Sequence, residues 1–346
     1  MEVMSANLPD ATRDFTRRRL LGLLAAVLAS GSRALGAALG EAGLEIDRLW
    51  PEAIFPERAP TDLRYRVDAT VLLLSFPIFR RAGVGDARVA VREIAEKAGR
   101  LVAIEFAAQS DPARAHGLDR RGWIREAVVE RSGQPVLAAT LGLMTDSPEQ
   151  SVEEAKTAFR ESGRAPRLVA IDGRSASGST GSRVLHFEPP AGEPIASVHS
   201  LDEVRRRFAA DPPAWRRTEW SHQSGAPMTF LYALLRALER PGPATESYYV
   251  FNENQYRLHT ECAPDAERGR EFAMAGLTAS AEHIVRVRGR IENLTKRTHP
   301  VPLQLWIDTA GPAPCPVRVE FNARSFLRLT LERLAPASDH SPKEQI

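Results

Sequence analysis

Glu282-His-Ile-Val-Arg-Val-Arg-Gly-Arg-Ile291, Pro302-Leu-Gln-Leu-Trp-Ile-Asp308 and Pro316-Val-Arg-Val-Glu-Phe-Asn-Ala323 follow one another near the C-terminus. Each alternates with period two. In the first, Ile284, Arg286, Arg288 and Arg290 point one way, and His283, Val285, Val287 and Ile291 point the other. One buried and one wet face is the pattern of a half-covered β-strand. The linker Thr309-Ala-Gly-Pro-Ala-Pro314 sets Leu303, Leu305 and Ile307 against Val317, Val319 and Phe321, and Phe326–Leu331 supplies a further strand. This is antiparallel sheet.

Upstream, Ser247–Phe251 and Gln255–Cys262 form a hairpin about Asn252-Glu-Asn254. Pro227–Glu239 is the strongest helix, with Met228, Leu231, Leu235 and Leu238 on one stripe and Pro241-Gly-Pro243 closing it. Ser200-Leu-Asp-Glu203 is a capping box opening a helix through Phe208, and Ser147-Pro-Glu-Gln150 opens another that Gly163 ends. Short strands at Arg167–Ile171 and Arg183–Phe187 flank a Gly/Ser loop at 173–182. Nearer the start, Leu63–Ala69 running into Val71–Phe76, then Ala87–Ile94 and Leu101–Ala108, read as a three-strand meander with a turn at Ala82–Gly85. Trp123–Glu130 is read as strand. The fold class is α+β and β-rich, a large and mostly antiparallel sheet with two or three packed helices.

The N-terminus carries an address. Thr16-Arg-Arg-Arg-Leu-Leu21 precedes an apolar run, Leu20–Leu28, and then small residues to Gly40. A basic start, a short apolar core and a small-residue exit describe a secretory signal. The Arg pair followed by Leu-Leu resembles a twin-arginine signal, although Gly22 stands where that consensus often has Lys and leaves the ordinary secretory route open. Residues 1–36 are therefore expected to be a signal peptide, 37–60 a lead-in, 61–335 a single β-rich domain and 336–346 a flexible tail. The expected location is the periplasm, and no run of eighteen apolar residues is present to span a membrane.

Of 346 residues with net charge +2, residues 1–36 hold five Arg against Glu2, Asp10 and Asp14, so the remainder is near neutral and no nucleic-acid partner is suggested. The two cysteines, Cys262 and Cys315, permit a disulfide in an oxidising compartment or stand as two buried thiols. No cofactor is expected: Gly173–Gly181 lacks the phosphate-loop Gly-Lys-Ser/Thr, there is no Gly-x-Ser-x-Gly elbow, and His259, Glu261 and Cys262 fall short of a metal set. Asp111, His116 and Asp119 read as a turn rather than a cation site.

Pro227-Met-Thr-x-Leu-Tyr-x-Leu-Leu-Arg236, Tyr249-Val-Phe-x4-Tyr256, Trp306-Ile-Asp308, Pro316-Val-Arg-Val-Glu320 and the opening Tyr65-Arg-Val67 through Gly85-x-Ala-x-Val89 resemble the domain of unknown function 3108 family of secreted bacterial envelope proteins. The resemblance spans roughly 62–109 and 220–332, leaving about 110–219 as an unmatched insert, and Ala226 replaces the Asp usual before the Pro. It implies a strongly curved half-barrel clasping a helix, related in shape to periplasmic lipoprotein carriers, with no catalytic residues to carry over. The expected function is a non-enzymatic periplasmic protein binding an amphiphilic or anionic envelope molecule, lipid or glycan. Arg286, Arg288 and Arg290 would take the anionic part, and Trp220, Phe230 and Tyr232 the apolar part. The alternatives are a periplasmic hydrolase of envelope glycan or ester, and an interaction partner in an envelope assembly that docks through the insert.

Overall fold

The computed structural model describes residues 61–334, apart from 74–75, 97–98, 116–118, 147–166, 177–178, 190–199, 212, 214–215, 220–227, 240, 252–253, 297, 312 and 325–326. The expected signal peptide, the Ser147 helix, Trp220 and the tail lie outside the described residues.

Eight strands come first: β1 (Thr61–Leu73), β2 (Phe76–Glu96), β3 (Gly99–Ser110), β4 (Arg121–Arg131), β5 (Gln134–Thr145), β6 (Leu168–Ala176), β7 (Ser179–Phe187) and β8 (Arg216–Glu219), with helix α1 (Leu201–Ala210) between the last two. Helix α2 (Phe230–Glu239) follows, then β9 (Thr245–Phe251), β10 (Asn254–Pro264), helix α3 (Ala266–Met274), β11 (Ile284–Asn293), β12 (Val301–Asp308), β13 (Cys315–Arg324) and β14 (Leu327–Arg333). Every pairing is antiparallel, and the fourteen strands form one sheet in the order β8 to β1, then β14 down to β9. The β1–β14 pairing (Tyr65 opposite Arg333, Val71 opposite Leu327) joins the two meanders. Segment 110–219, which the family resemblance leaves out, supplies β4 to β8 of this sheet.

The sheet curls back on itself into a barrel. Ile124, Met144, Val169 and Ile171 of β4–β6 share one buried cluster with Tyr249, Phe251, Tyr256 and Leu258 of β9 and β10, strands at the far end of the sheet order. They meet because α2 lies between them. Tyr232 packs with Val102, Ile104, Val128 and Ala138, and Leu238 packs with Val287, Leu303, Leu305 and Ile307. Apart from the Arg236–Glu239 pair near its end, α2 is apolar round its circumference, so it is enclosed by the sheet, not laid on it by a single stripe.

A second core lies outside. Alternate residues of β3–β6, among them Leu101, Trp123, Ala127, Leu141, Leu143 and Leu168, are covered by Leu201, Val204 and Phe208 of α1. Ser200 caps α1, its Oγ accepting from the Glu203 amide at 3.2 Å. Only that half of the expected capping box is used, because the Glu203 carboxylate pairs with Arg206 and Arg207.

Several local expectations are corrected. Ala82–Gly85 is no turn: β2 runs through it, and a register shift opposite Val67–Ala69 makes it a bulge. Gly83 has φ +61 there, and its amide donates to the buried Asp68 carboxylate at 2.8 Å. Residues 173–182 are the β6–β7 hairpin, with Ser175 and Thr180 hydroxyls 2.8 Å apart. β5 carries no alternation because both its faces are buried; its sequence signal was the Ser132-Gly133 turn, where both residues have positive φ. α3 was also signalled, by Asp265, which caps it through the Arg268 amide at 3.2 Å. A shift after Trp306 sends Val317 to the outer face, where it packs with Phe272, Ile284 and Trp306 instead of facing Ile307.

Candidate functional site

The first amides of a helix need acceptors, and inside a barrel water is not there to serve. Thr229 begins α2, its carbonyl accepting from the Ala233 amide at 2.9 Å. Its hydroxyl, in the place where a capping side chain usually acts, makes no hydrogen bond among the described residues. Glu126, on the inner face of β4, does the work from across the barrel: its Oε2 accepts from the Tyr232 amide at 3.1 Å, with the Thr229 hydroxyl and the Leu231 and Phe230 amides also facing it. The helix's positive end favours that charge. Burial outweighs these donors and pushes the Glu126 carboxyl up to about 7.

Around this carboxylate, Glu126 Oε1, Thr229 Oγ1 and the Tyr249 hydroxyl are all buried without a hydrogen-bond partner among the described residues. Tyr249 stacks on Tyr256 with ring centres 5.2 Å apart and tilts against Phe230 at 5.5 Å. Burial holds the Tyr249 hydroxyl well above its ordinary value. Two pleat repeats along β4, Glu130 accepts from the Tyr232 hydroxyl and from Arg100 Nε at 2.6 Å, and Arg100 reaches Glu93 at 2.7 Å. Burial raises Glu130, but Arg100 and Tyr232 overcome it and hold the carboxyl below the usual range.

A carboxyl that titrates near neutrality is a mark of many catalytic sites. Here the α2 backbone occupies the position in front of it, so Glu126 serves the helix, and it is fully buried. What lies open beside it is a cleft at the seam where β5–β7 approach β9. Thr140, Ser175, Thr180, Ser182, Thr229 and Phe251 line it, and its volume is about 10 Å³, room for about one water. Ser182 Oγ and Thr229 Oγ1 are buried there unpaired. β8 pairs only with Ser179–Ser182, so the rest of β7 has no strand beyond it among the described residues.

The residues expected to bind ligand do not converge. Val287 and Ile291 face inward, toward α2, so Arg286, Arg288 and Arg290 face outward. Phe230 and Tyr232 are inside the barrel, and the sheet separates them from the arginines; a single amphiphile cannot lie against both groups. Arg286 lies 3.7 Å from Asp265 and Arg290 3.8 Å from Glu292. Next to Arg286, Arg268 and Arg318 stack over Trp306, whose Nε1 donates to Asp265 at 3.0 Å. That cluster fastens α3.

Cys262 and Cys315 are both free. They lie on β10 and β13 with two strands between, and three strand spacings of ~4.8 Å exceed the reach of a disulfide. Arg333 Nη1 donates to Cys315 Sγ at 2.7 Å, yet burial keeps that thiol above its ordinary value. His259 lies 3.2 Å from Glu261, and Asp111 and Asp119 pair with Arg114 and Arg121. Among the described residues no three His, Cys, Asp or Glu gather as a metal set, and no helix is long and apolar enough to cross a membrane. Glu126 was not legible as the interior's central group, because Glu126 and Glu130 in Trp123–Glu130 look like solvated positions of a half-covered strand.

No family model matches the chain, so the resemblance to the domain of unknown function 3108 family has none behind it. No curated protein matches either. Among solved structures, the chain is similar to the crystal structure of a beta-barrel-like protein of domain of unknown function DUF1849 from Brucella abortus, with a TM-score of 0.42 and 9% identity over 80% of this chain and 97% of that one.

Proposed function

We propose that the chain is an exported, periplasmic, non-enzymatic binding protein whose barrel seam receives the hydroxylated or anionic head of an envelope lipid or glycan. The observation that carries this reading is the row of seam hydroxyls, with Ser182 Oγ and Thr229 Oγ1 buried and unpaired. A buried hydroxyl without a partner costs free energy that a ligand's hydrogen bonds recover. The interior carboxylates support binding over catalysis, since Glu126 and Glu130 are already engaged in holding α2 and Tyr232. Export rests on Thr16–Leu28 in the sequence. The cleft as it stands admits no more than about one water, so binding requires the seam beside β7 to part from β9. Envelope-family membership, drawn from the short motifs around Pro227 and Trp306, would agree with this reading.

The test is native mass spectrometry of the protein purified from periplasm, comparing the parent with Ser182→Ala/Thr229→Val. An added discrete mass of a lipid or glycan on the parent, absent from the double variant, is the expected result. A bare parent chain, or an adduct that the double variant retains, overturns the seam assignment. Arg288→Glu, on the outer face, is expected to leave any adduct in place.

A further inference from the structure

At one end of the barrel, the hairpin tips between β1 and β2, β13 and β14, and β11 and β12 stand side by side. The register requires it: Leu73 pairs with Phe76, Val71 with Leu327, Arg324 with Leu327, and Ile291 with Val301. The first tip also projects: β3 pairs with β2 only from Gly85 onward and the Asp111 amide meets the Val84 carbonyl at 2.7 Å, so Phe76–Phe79 pairs with no strand but β1 among the described residues.

This projecting arm is apolar and exposed. Phe76 is 74% exposed, Ile78 61% and Phe79 55%. Residues 76–79 are exposed in succession, so both faces of the strand show apolar side chains. A protein partner packed on one face of a strand covers alternate residues only. A consecutive run suits a medium that surrounds it, and an exposed run of this length on a folded protein marks an interaction site. Leu294, at 38%, adds apolar surface on the β11–β12 tip.

Charge complements this. The sequence has Arg80 and Arg81 in 71–84, Lys296 and Arg297 in 293–304, and Arg324 and Arg328 in 322–331, with no Asp or Glu in these three stretches. The fourth tip, between β9 and β10, holds Glu253, which confines the basic field to the three. At the base of the arm the buried Asp68 accepts from Arg80 at 2.8 Å and from the Gly83 amide, which fixes the arm to the barrel.

We propose that this rim docks the barrel on an anionic bilayer, with Phe76, Ile78 and Phe79 entering the interface and basic side chains of the rim, Arg81, Lys296 and Arg328 among them, meeting lipid phosphates. It is a surface separate from the seam and stands or falls independently of it.

The test uses the full chain with vesicles of phosphatidylcholine and phosphatidylglycerol in equal parts, against vesicles of phosphatidylcholine alone. The apolar run at Leu20–Leu28 can itself bind lipid, so the deciding readout is local: the emission difference between Phe76→Trp and the parent. A blue shift with the anionic vesicles, reduced by high salt, is expected. Phe79→Ser and Ile78→Ser introduced into Phe76→Trp should weaken the vesicle concentration dependence of that shift by at least about tenfold. These positions are exposed, so the fold should survive. No shift with anionic vesicles, an equal shift with both compositions, or a concentration-dependent shift without lipid that signals a second copy would each overturn the proposal.

Discussion

β3–β7 and β11–β14 belong to one sheet and use the same backbone, yet the first group is buried on two faces and the second mostly on one. Inside, both groups meet α2. Outside, α1 covers β3–β6, whereas β11–β13 show Arg288, Gln304 and Glu320 to solvent and are covered only near Trp306 by α3. The number of layers, not the strand itself, decides what the sequence must look like. The most direct way to break this contrast is to put a charge on the outer face of each group. Ala127, with none of its surface exposed beneath α1, should tolerate Glu at a cost on the order of 4 kcal/mol or more, enough to unfold many domains. Arg288→Glu should cost within about 0.5 kcal/mol. Urea unfolding followed by circular dichroism compares them; equal costs would end the two-layer against three-layer account.

The same contrast explains which parts were legible in the sequence. Ile284–Ile291 shows its alternation because one face is wet, and its strands and pairings follow from it. Leu137–Thr145 is buried throughout, so its pattern is a plain apolar run that periodicity cannot assign. Where the alternation was read correctly, its side of the barrel was not. Arg286, Arg288 and Arg290 do share a face, but a period of two cannot say which face is concave. Val287 and Leu238 decide that by meeting inside. Glu126 was invisible for a related reason: its role depends on a helix more than a hundred residues away, a contact no local pattern encodes.

Two buried carboxyls sharpen the comparison further. Asp68, on β1 outside both groups, feels burial upward, but the Gly83 amide, Arg80 and Arg66 overcome it and hold it low. Glu126, under α2, meets the Thr229 hydroxyl and amides but no cation, and burial raises it from 4.5 to about 7. The consequences for stability have opposite signs. Asp68 contributes stability above its ordinary value that is lost as the pH falls through the folded one. For Glu126, the unfolded chain releases its proton near 4.5 while the folded barrel keeps it to about 7, so stability falls as the pH rises across that window and levels off above it. The drop is on the order of 3 kcal/mol. Glu126→Gln should flatten this descent and make the variant more stable than the parent at alkaline pH, read as Tm against pH. A parent-like slope in the variant would place the titrating group elsewhere.

The smallest expected effect tests whether α1 makes the second layer or merely rests on it. Ser200→Ala removes one cap, with a cost of about 1 kcal/mol. If burial by Leu201, Val204 and Phe208 is what keeps Trp123, Leu141 and Leu143 dry, that loss is shared by the whole cooperative unit. Amide exchange should then quicken in α1 and the outer core of β4 and β5 together, leaving β11–β13 unchanged. Were α1 only an appendage, exchange would quicken in its first turn alone, because fraying releases the Glu203 amide without exposing the sheet. The reach of the quickened exchange, more than its size, tells a third layer from a decoration, and the twofold burial of β4 and β5 argues for the layer.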